Sequence, residues 1–145
     1  MALQTTYNET QDQAVAGLIG TQIPATIISR TVETSAGIGF GVPVAQGTND
    51  NGCILFASGT VLGIAALDRG ATGEDKYAQY ESARIITKGH VWVICTTGCS
   101  AGNTVWVRPS NATFQTSNAN SGVQIANARW ETTAAAGALA LIRLG

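Results

Sequence analysis

Charge, histidine and long apolar runs are all scarce in this 145-residue chain, and each scarcity excludes something. Charged residues make up 12% of the sequence, about half of the ~25% usual for a soluble domain. Eight basic and nine acidic side chains leave a net charge of -1. Affinity for nucleic acid through phosphate neutralisation needs a basic stripe, which this composition does not supply. A polybasic membrane anchor fails for the same reason, and no uninterrupted apolar run is long enough to span a bilayer as a helix. The single histidine, His90, rules out a metal held by several imidazoles. The three cysteines, Cys53, Cys95 and Cys99, cannot all pair within one chain, so this is no disulfide scaffold. The spacing Cys95-Thr-Thr-Gly-Cys99 matches neither a redox pair nor a zinc knuckle. The opening Met-Ala-Leu-Gln-Thr-Thr-Tyr lacks the basic and apolar regions of a signal peptide, and synthesis in a reducing cytoplasm is expected. The Asn-x-Ser/Thr matches at Asn8 and Asn111 then read as chance.

What the chain does have is β-forming sequence punctuated by glycine. Its length suits one domain. Residues 1–22 are polar, and Asn8 to Ala16 reads either as a short helix or as part of an extended arm, the arm being favoured. From residue 23 onward the pattern predicts a single β domain. Ala25 to Val32 is rich in β-branched residues. Pro43, without a backbone donor, predicts an edge or a bend for Val42-Pro43-Val44. Gln46 to Gly52 is a turn by composition. Further strands are expected at Cys53–Phe56, Val61–Leu67, Ala83–Thr87 and His90–Thr96, with Lys88-Gly89 as a tight hairpin turn between the last two. Thr104 to Arg108 alternates polar and apolar, the period of a strand with one wet face. Val123–Ile125 and Leu139–Leu144 close the series. Ser110 to Gly122 reads as a long surface loop, and only Asp75–Ser82 and Thr132–Ala136 have helical potential. The fold class expected is all-β: a jelly-roll-like antiparallel β-sandwich or barrel with an extended N-terminal arm.

Candidate chemistry is thin. A Ser-His-Asp or Cys-His arrangement would rest entirely on His90, which reads better as a solvent-facing strand residue beside Trp92. The carboxylates Glu33, Asp50, Asp68, Glu74, Asp75, Glu81 and Glu131 are scattered, each with a simpler place in a turn or on a wet face. Asp50-Asn51-Gly52 lacks the downstream ligands of a calcium loop. Gly37-Ile38-Gly39-Phe40-Gly41 has β-like sequence on both sides, whereas a dinucleotide cradle opens a helix. For Trp92, Trp106 and Trp130 taken together, strands with Val91, Val93, Val105 and Val107 favour core or interface over a sugar platform. No catalytic residue, cofactor site or metal site is expected.

Several segments in order carry a family likeness: Ser29-Arg30-Thr31-Val32-Glu33 with Gly39-Phe40-Gly41-Val42-Pro43-Val44; Gly63-Ile64-Ala65-Ala66-Leu67-Asp68 with Asp75-Lys76-Tyr77-Ala78; Lys88-Gly89-His90-Val91-Trp92-Val93 with Gly102-Asn103-Thr104-Val105-Trp106-Val107; and Ala128-Arg129-Trp130-Glu131-Thr132 with Gly137-Ala138-Leu139-Ala140. From about residue 24 to the end, the chain resembles the capsid cement, or head decoration, proteins of tailed bacteriophages. The resemblance implies a β-sandwich or jelly-roll-like body, residues 23–145, with an arm, residues 1–22, lying on the shell. It implies a structural, non-enzymatic protein on the outer surface of the virion capsid, made in the bacterial host cytoplasm. Its partner would be the major capsid protein, whose neighbouring subunits it clamps against internal DNA pressure, with self-association as a dimer or trimer. Leu3, Tyr7, Leu18 and Ile19 are the expected capsid contacts, being apolar groups stranded in polar sequence. Deleting residues 1–20 is then expected to weaken shell binding and leave the body folded. The alternative is a carbohydrate-binding β-sandwich module stacking sugars on Trp92, Trp106 or Trp130. A small hydrolase using Glu131 or Asp68 is a third reading.

Overall fold

In the computed structural model, residues 14–73 and 75–145 are described. The β-branched and alternating runs become strands in chain order: β1 (Thr26–Val32), β2 (Ile38–Gly39), β3 (Pro43–Gln46), β4 (Gly52–Leu55), β5 (Gly63–Ala65), β6 (Lys76–Tyr77), β7 (Ser82–Cys95), β8 (Thr104–Arg108), β9 (Thr113–Gln115), β10 (Val123–Trp130) and β11 (Ala138–Leu144). Among the described residues there is no α-helix, only a 3-10 turn at Ala119–Ser121. The fold is an all-β barrel with added strands.

Strand β7 organises everything else. Its N-terminal half pairs with β1 and β5, and its C-terminal half pairs along its length with β11, from Gly89 opposite Leu144 to Cys95 opposite Ala138. Two closed rings result. One runs β1-β4-β3-β5-β7 and returns to β1; the other runs β7-β11-β10-β8-β9 and returns to β7. Closure removes the open edges that would otherwise pair with foreign strands. Most pairings are antiparallel, but β1–β4 and β7–β9 are parallel. A separate ribbon joins β2 to β6.

The expected hairpin at Lys88-Gly89 is not formed: the chain runs straight through as one 14-residue strand. A two-residue hairpin needs its flanking strands to pair with each other, and here each half has other partners. Gly89 instead takes φ +125°, and a Cβ there would lie 2.9 Å from Ala25 Cβ. The glycine thus bends the strand from one ring into the other, as glycine does at barrel corners.

Two cores follow from strand parity. Val44, Ala65 and Ile85 join Val32, Ile38, Cys53, Tyr77 and Ala83 in one cluster. Their chain neighbours Ala45, Ile64 and Ile86 point the other way, into the larger cluster around Trp130, Phe114, Val91, Val93 and Ile142. Strands buried on both faces lose the polar-apolar alternation, which is why these segments read as short continuous apolar runs. Tyr77 is fully buried and its hydroxyl donates to Ala66 O at 2.6 Å, so the core carries no orphan there.

Other expectations are corrected by the same logic. Pro43 is neither at an edge nor in a bend: it begins β3, between β4 and β5, where a first strand residue needs no donor of its own. The Ser110–Gly122 stretch contains β9, with Phe114 and Gln115 buried, and the Gln115 amide donates to Ser117 O at 2.8 Å and Ala119 O at 2.6 Å. Asp75–Ser82 is not helical, since Asp75 and Tyr80 take φ of 55° and 67°. In Thr132–Ala136, Ala134 pairs with Cys99 in a β-bridge instead of starting a helix. An isolated run this short does not repay helix nucleation.

Candidate functional site

Past Gly89, Val91, Val93 and Cys95 turn into the larger core, so His90, Trp92 and Ile94 face outward. On one side lies β11, with Leu141 opposite Trp92 and Leu139 opposite Ile94. On the other lies the segment 14–20, hydrogen-bonded to β7 through Gly17 N to Trp92 O at 2.7 Å, Trp92 N to Leu18 O at 2.9 Å and Gly20 N to His90 O at 3.0 Å. With Ile19 paired to Val91 and packed on the core, Leu18 falls beside the outward-facing Trp92. Val15, Leu18 and Ile94 are 44%, 38% and 45% exposed.

A groove of about 190 Å³ runs from Ile94 past Ala16, Phe40, Val42, Ala112 and Phe114. A second hollow of about 260 Å³ shares Ala16 and Phe40 and adds Val15, Leu67, Arg69 and Asp75. Phe40 is held by edge-to-face contact with Tyr77, centroids 5.2 Å apart. Together these linings form a mainly apolar strip on the outside of the closed barrel, with Arg69 and Asp75 as the charged residues among them.

The residues expected from sequence fall in different places. Leu3 and Tyr7 lie outside the described residues. Leu18 is exposed on the segment 14–20 but lines neither hollow. Ile19 pairs with Val91 in a bridge and packs partly against the larger core. Ala14 and Gly17 are buried, and Leu67 N donates to Gly17 O at 2.8 Å, so the segment 14–20 is tied to the barrel. Sequence reasoning missed Val15, Phe40 and Ile94. The available signal was Ile94 itself, an isoleucine in the outward phase of His90-Val91-Trp92-Val93-Ile94-Cys95.

The candidate catalytic groups are engaged structurally. His90 Nδ1 is 3.0 Å from Thr21 Oγ1. Glu131 pairs with Arg143 at 3.3 Å, a half-exposed contact of modest energy. Asp68 accepts from Gly70 N at 2.9 Å. Among the described residues no three His, Cys, Asp or Glu side chains are grouped to hold a metal. Trp130 is fully buried, so the three tryptophans do not share an exposed face.

Two carboxylates act as turn clamps. Glu33 accepts from Thr48 N at 2.7 Å and from Asn49 N at 2.9 Å and Nδ2 at 3.0 Å, closing the β3–β4 turn. Glu81 accepts from Thr72 N and Ala78 N, each at 2.8 Å. The Asn49 backbone bond, then that of Thr48, holds the Glu33 carboxyl below its ordinary range; the Ala78 and Thr72 backbone bonds do the same for Glu81. A carboxyl lowered in the folded state contributes stability that is present above its unfolded value of about 4.3 and lost as pH falls through the folded value. Glu33→Gln is therefore expected to lower Tm at pH 7, with the gap to wild type closing as pH drops from 5 toward 2. Thermal melts across that range check this, and a gap independent of pH contradicts the clamp.

A comparison with curated proteins finds no match. The chain is similar to a solved chain from "The capsid of Myoviridae Phage XM1", with 19% identity and TM-score 0.79 over 100% of this chain and 98% of that one. That likeness shows the fold. A looser similarity, 9% identity and TM-score 0.47 over 84% of this chain and 95% of the other, is to the head fiber gp8.5 N base in bacteriophage phi29. The family model described as structural cement protein (E217 gp24/Pam3 gp6) matches residues 3–145. Nearly the whole chain, strip and barrel included, is thus matched, and the protein belongs to the phage structural cement proteins.

Proposed function

We propose that this capsid structural protein binds the outer surface of a phage head and clamps neighbouring major capsid subunits, without catalysis. The observation that supports it is the apolar strip with Val15, Phe40 and Ile94, and exposed Leu18 on the same docked segment as Val15, on a closed barrel of the cement family. A shell under internal DNA pressure opens at subunit junctions, and a rigid body bound across a junction stabilises the closed lattice by its binding free energy. A standard contact of ~800 Å² would take roughly a tenth of the 8242 Å² surface. Residues 1–13, with Leu3 and Tyr7, reach a second subunit in this reading; fully extended, they span at most roughly 45 Å. A second attachment raises avidity through effective concentration without enlarging the body. Self-association as a dimer or trimer would match the symmetry of the junction occupied.

The test is co-sedimentation with expanded heads that lack this protein. Leu18→Asp with Ile94→Asp places one charge in the strip and one on the docked segment without touching the buried residues. Affinity is expected to fall at least about a hundredfold, the scale of a lost hot spot, with Tm near wild type. Truncation of residues 1–13 leaves the hydrogen bonds of the segment 14–20 in place and is expected to weaken binding about ten- to a hundredfold. Unchanged binding by the double variant would remove the strip from the interface; unchanged binding by the truncation would remove the arm.

A further inference from the structure

We propose that Arg129 and Arg143 form a two-guanidinium clamp for carboxylates, and that its partner is an acidic surface of the shell subunit the protein binds. Charge is unevenly divided along the chain. From Lys88 onward there are four basic side chains, Lys88, Arg108, Arg129 and Arg143, against one acidic, Glu131, and the other carboxylates all precede them. The strand register concentrates part of this charge. Arg129 of β10 lies directly opposite Arg143 of β11, and Arg143 lies directly opposite His90 of β7. Residues facing each other across antiparallel strands share a face, with Cβ atoms about 5 Å apart. That face is the outer one, because the flanking residues Ala128, Trp130, Ile142, Leu144 and Val91 turn into the larger core. A basic row three strands wide thus crosses the outside of the second ring.

The counter-charge within the protein is incomplete. Glu131 meets the Arg143 Nε at 3.3 Å. Arg129 donates from Nη1 to Ala128 O at 2.9 Å and has no carboxylate partner among the described residues. Two guanidinium groups therefore share one carboxylate. Like charges directly opposite each other across strands are destabilising, so the stability of the barrel does not account for placing arginine opposite arginine. An external carboxylate does account for it. A guanidinium presents paired N–H donors in a fixed fork that matches the two oxygens of a carboxylate, and a second fork one strand away doubles the charge the anion meets.

The row is continuous with the apolar strip. His90 and Ile94 lie on the same outward face of β7, four residues or roughly 13 Å apart. A standard contact of ~800 Å² per partner is roughly 30 Å across, so a partner seated on Ile94 covers the row as well. Three positions are too few for a nucleic-acid backbone, whose affinity comes from neutralising many phosphates. They suit carboxylates at the rim of a protein interface, where charge sets partner choice and association rate. The clamp itself does not depend on the capsid reading above; naming the shell subunit as its partner does.

The first test titrates the isolated full-length protein into fluorescein-labelled hexaglutamate and follows anisotropy. Binding is expected at low ionic strength and is expected to weaken as salt is added. Arg129→Gln with Arg143→Gln is expected to lower affinity at least about tenfold. Lys76→Gln removes a positive charge from the β2–β6 ribbon instead and is expected to bind as wild type does. Arg129→Gln alone is expected to melt no lower than wild type at low salt, since it relieves the like-charge pair. No binding of hexaglutamate, equal binding by the double variant, tighter binding to a hexameric oligonucleotide, or a clear fall in the Tm of Arg129→Gln would each overturn the clamp. The second test repeats the co-sedimentation with heads across a salt series. The double glutamine variant is expected to bind more weakly than wild type, and with a shallower dependence on salt. Wild-type binding that the double variant matches overturns the shell subunit as partner, whereas heads that fail to bind wild type remove the capsid reading and leave the clamp to the hexaglutamate result.

Discussion

Trp130→Ala is expected to cost about 3–5 kcal/mol. Trp130 is among the largest fully buried side chains, at 0% exposure in the larger core. It packs edge-to-face on Phe114, with centroids 6.4 Å apart, and so supports β9, the short strand through which the second ring closes. Loss of the indole leaves a cavity and removes the support for that closure at the same time. Its Nε1 finds no hydrogen-bond acceptor among the described residues. Trp130→Phe therefore removes an unpaired buried donor along with some apolar area, and its cost is expected to be clearly smaller than that of alanine. Urea unfolding of the two variants checks both statements. A penalty for alanine under 1 kcal/mol, or equal penalties for the two, would contradict this account of the core.

Gly89→Ala is the second large effect. The native φ of +125° lies where L residues rarely go, which costs about 1–3 kcal/mol, and the added methyl would lie 2.9 Å from Ala25 Cβ and 3.3 Å from Ile86 Cδ1. Relief requires the strand to straighten or β1 to move. Either change disturbs the handover of β7 from one ring to the other. The expected result is a loss of about 2–4 kcal/mol when strain and overpacking combine. Amide exchange should show the weakening first at the pairs Thr26–Lys88 and Gly89–Leu144 of this bend. A variant as stable as wild type would mean that the bend does not depend on glycine.

These two positions also show what a sequence can convey. Thr104–Arg108 is legible to the residue, because one face is wet and the alternation is clean. Val44, Ala65 and Ile85 are legible as β but not as to face, since their strands are buried on both sides there. Lys88-Gly89 carries the local chemistry of a hairpin, and only long-range pairing distinguishes a hairpin glycine from a barrel-corner glycine. Thr113-Phe114-Gln115 is hidden because a three-residue strand among serines and asparagines has no periodicity to detect; its support comes from Trp130, remote in sequence.

The candidate site divides in the same way. Leu18 stands out locally as an apolar residue in polar sequence, and it is exposed. Ile94 and Phe40 do not, because their exposure depends on the phase of β7 beyond Gly89 and on the docking of the segment 14–20. A likeness to cement proteins was legible from ordered segments across the chain, and the family match covers residues 3–145. The contact surface was not, because it is assembled from parts of the chain far apart in sequence.

The central claim is that this protein is a stoichiometric part of the capsid exterior. Quantitative mass spectrometry of purified virions, counting this chain against the major capsid protein, tests it most directly. The account predicts a ratio near one, or a simple fraction fixed by the symmetry of the junction occupied. A trace amount, or none, would contradict it.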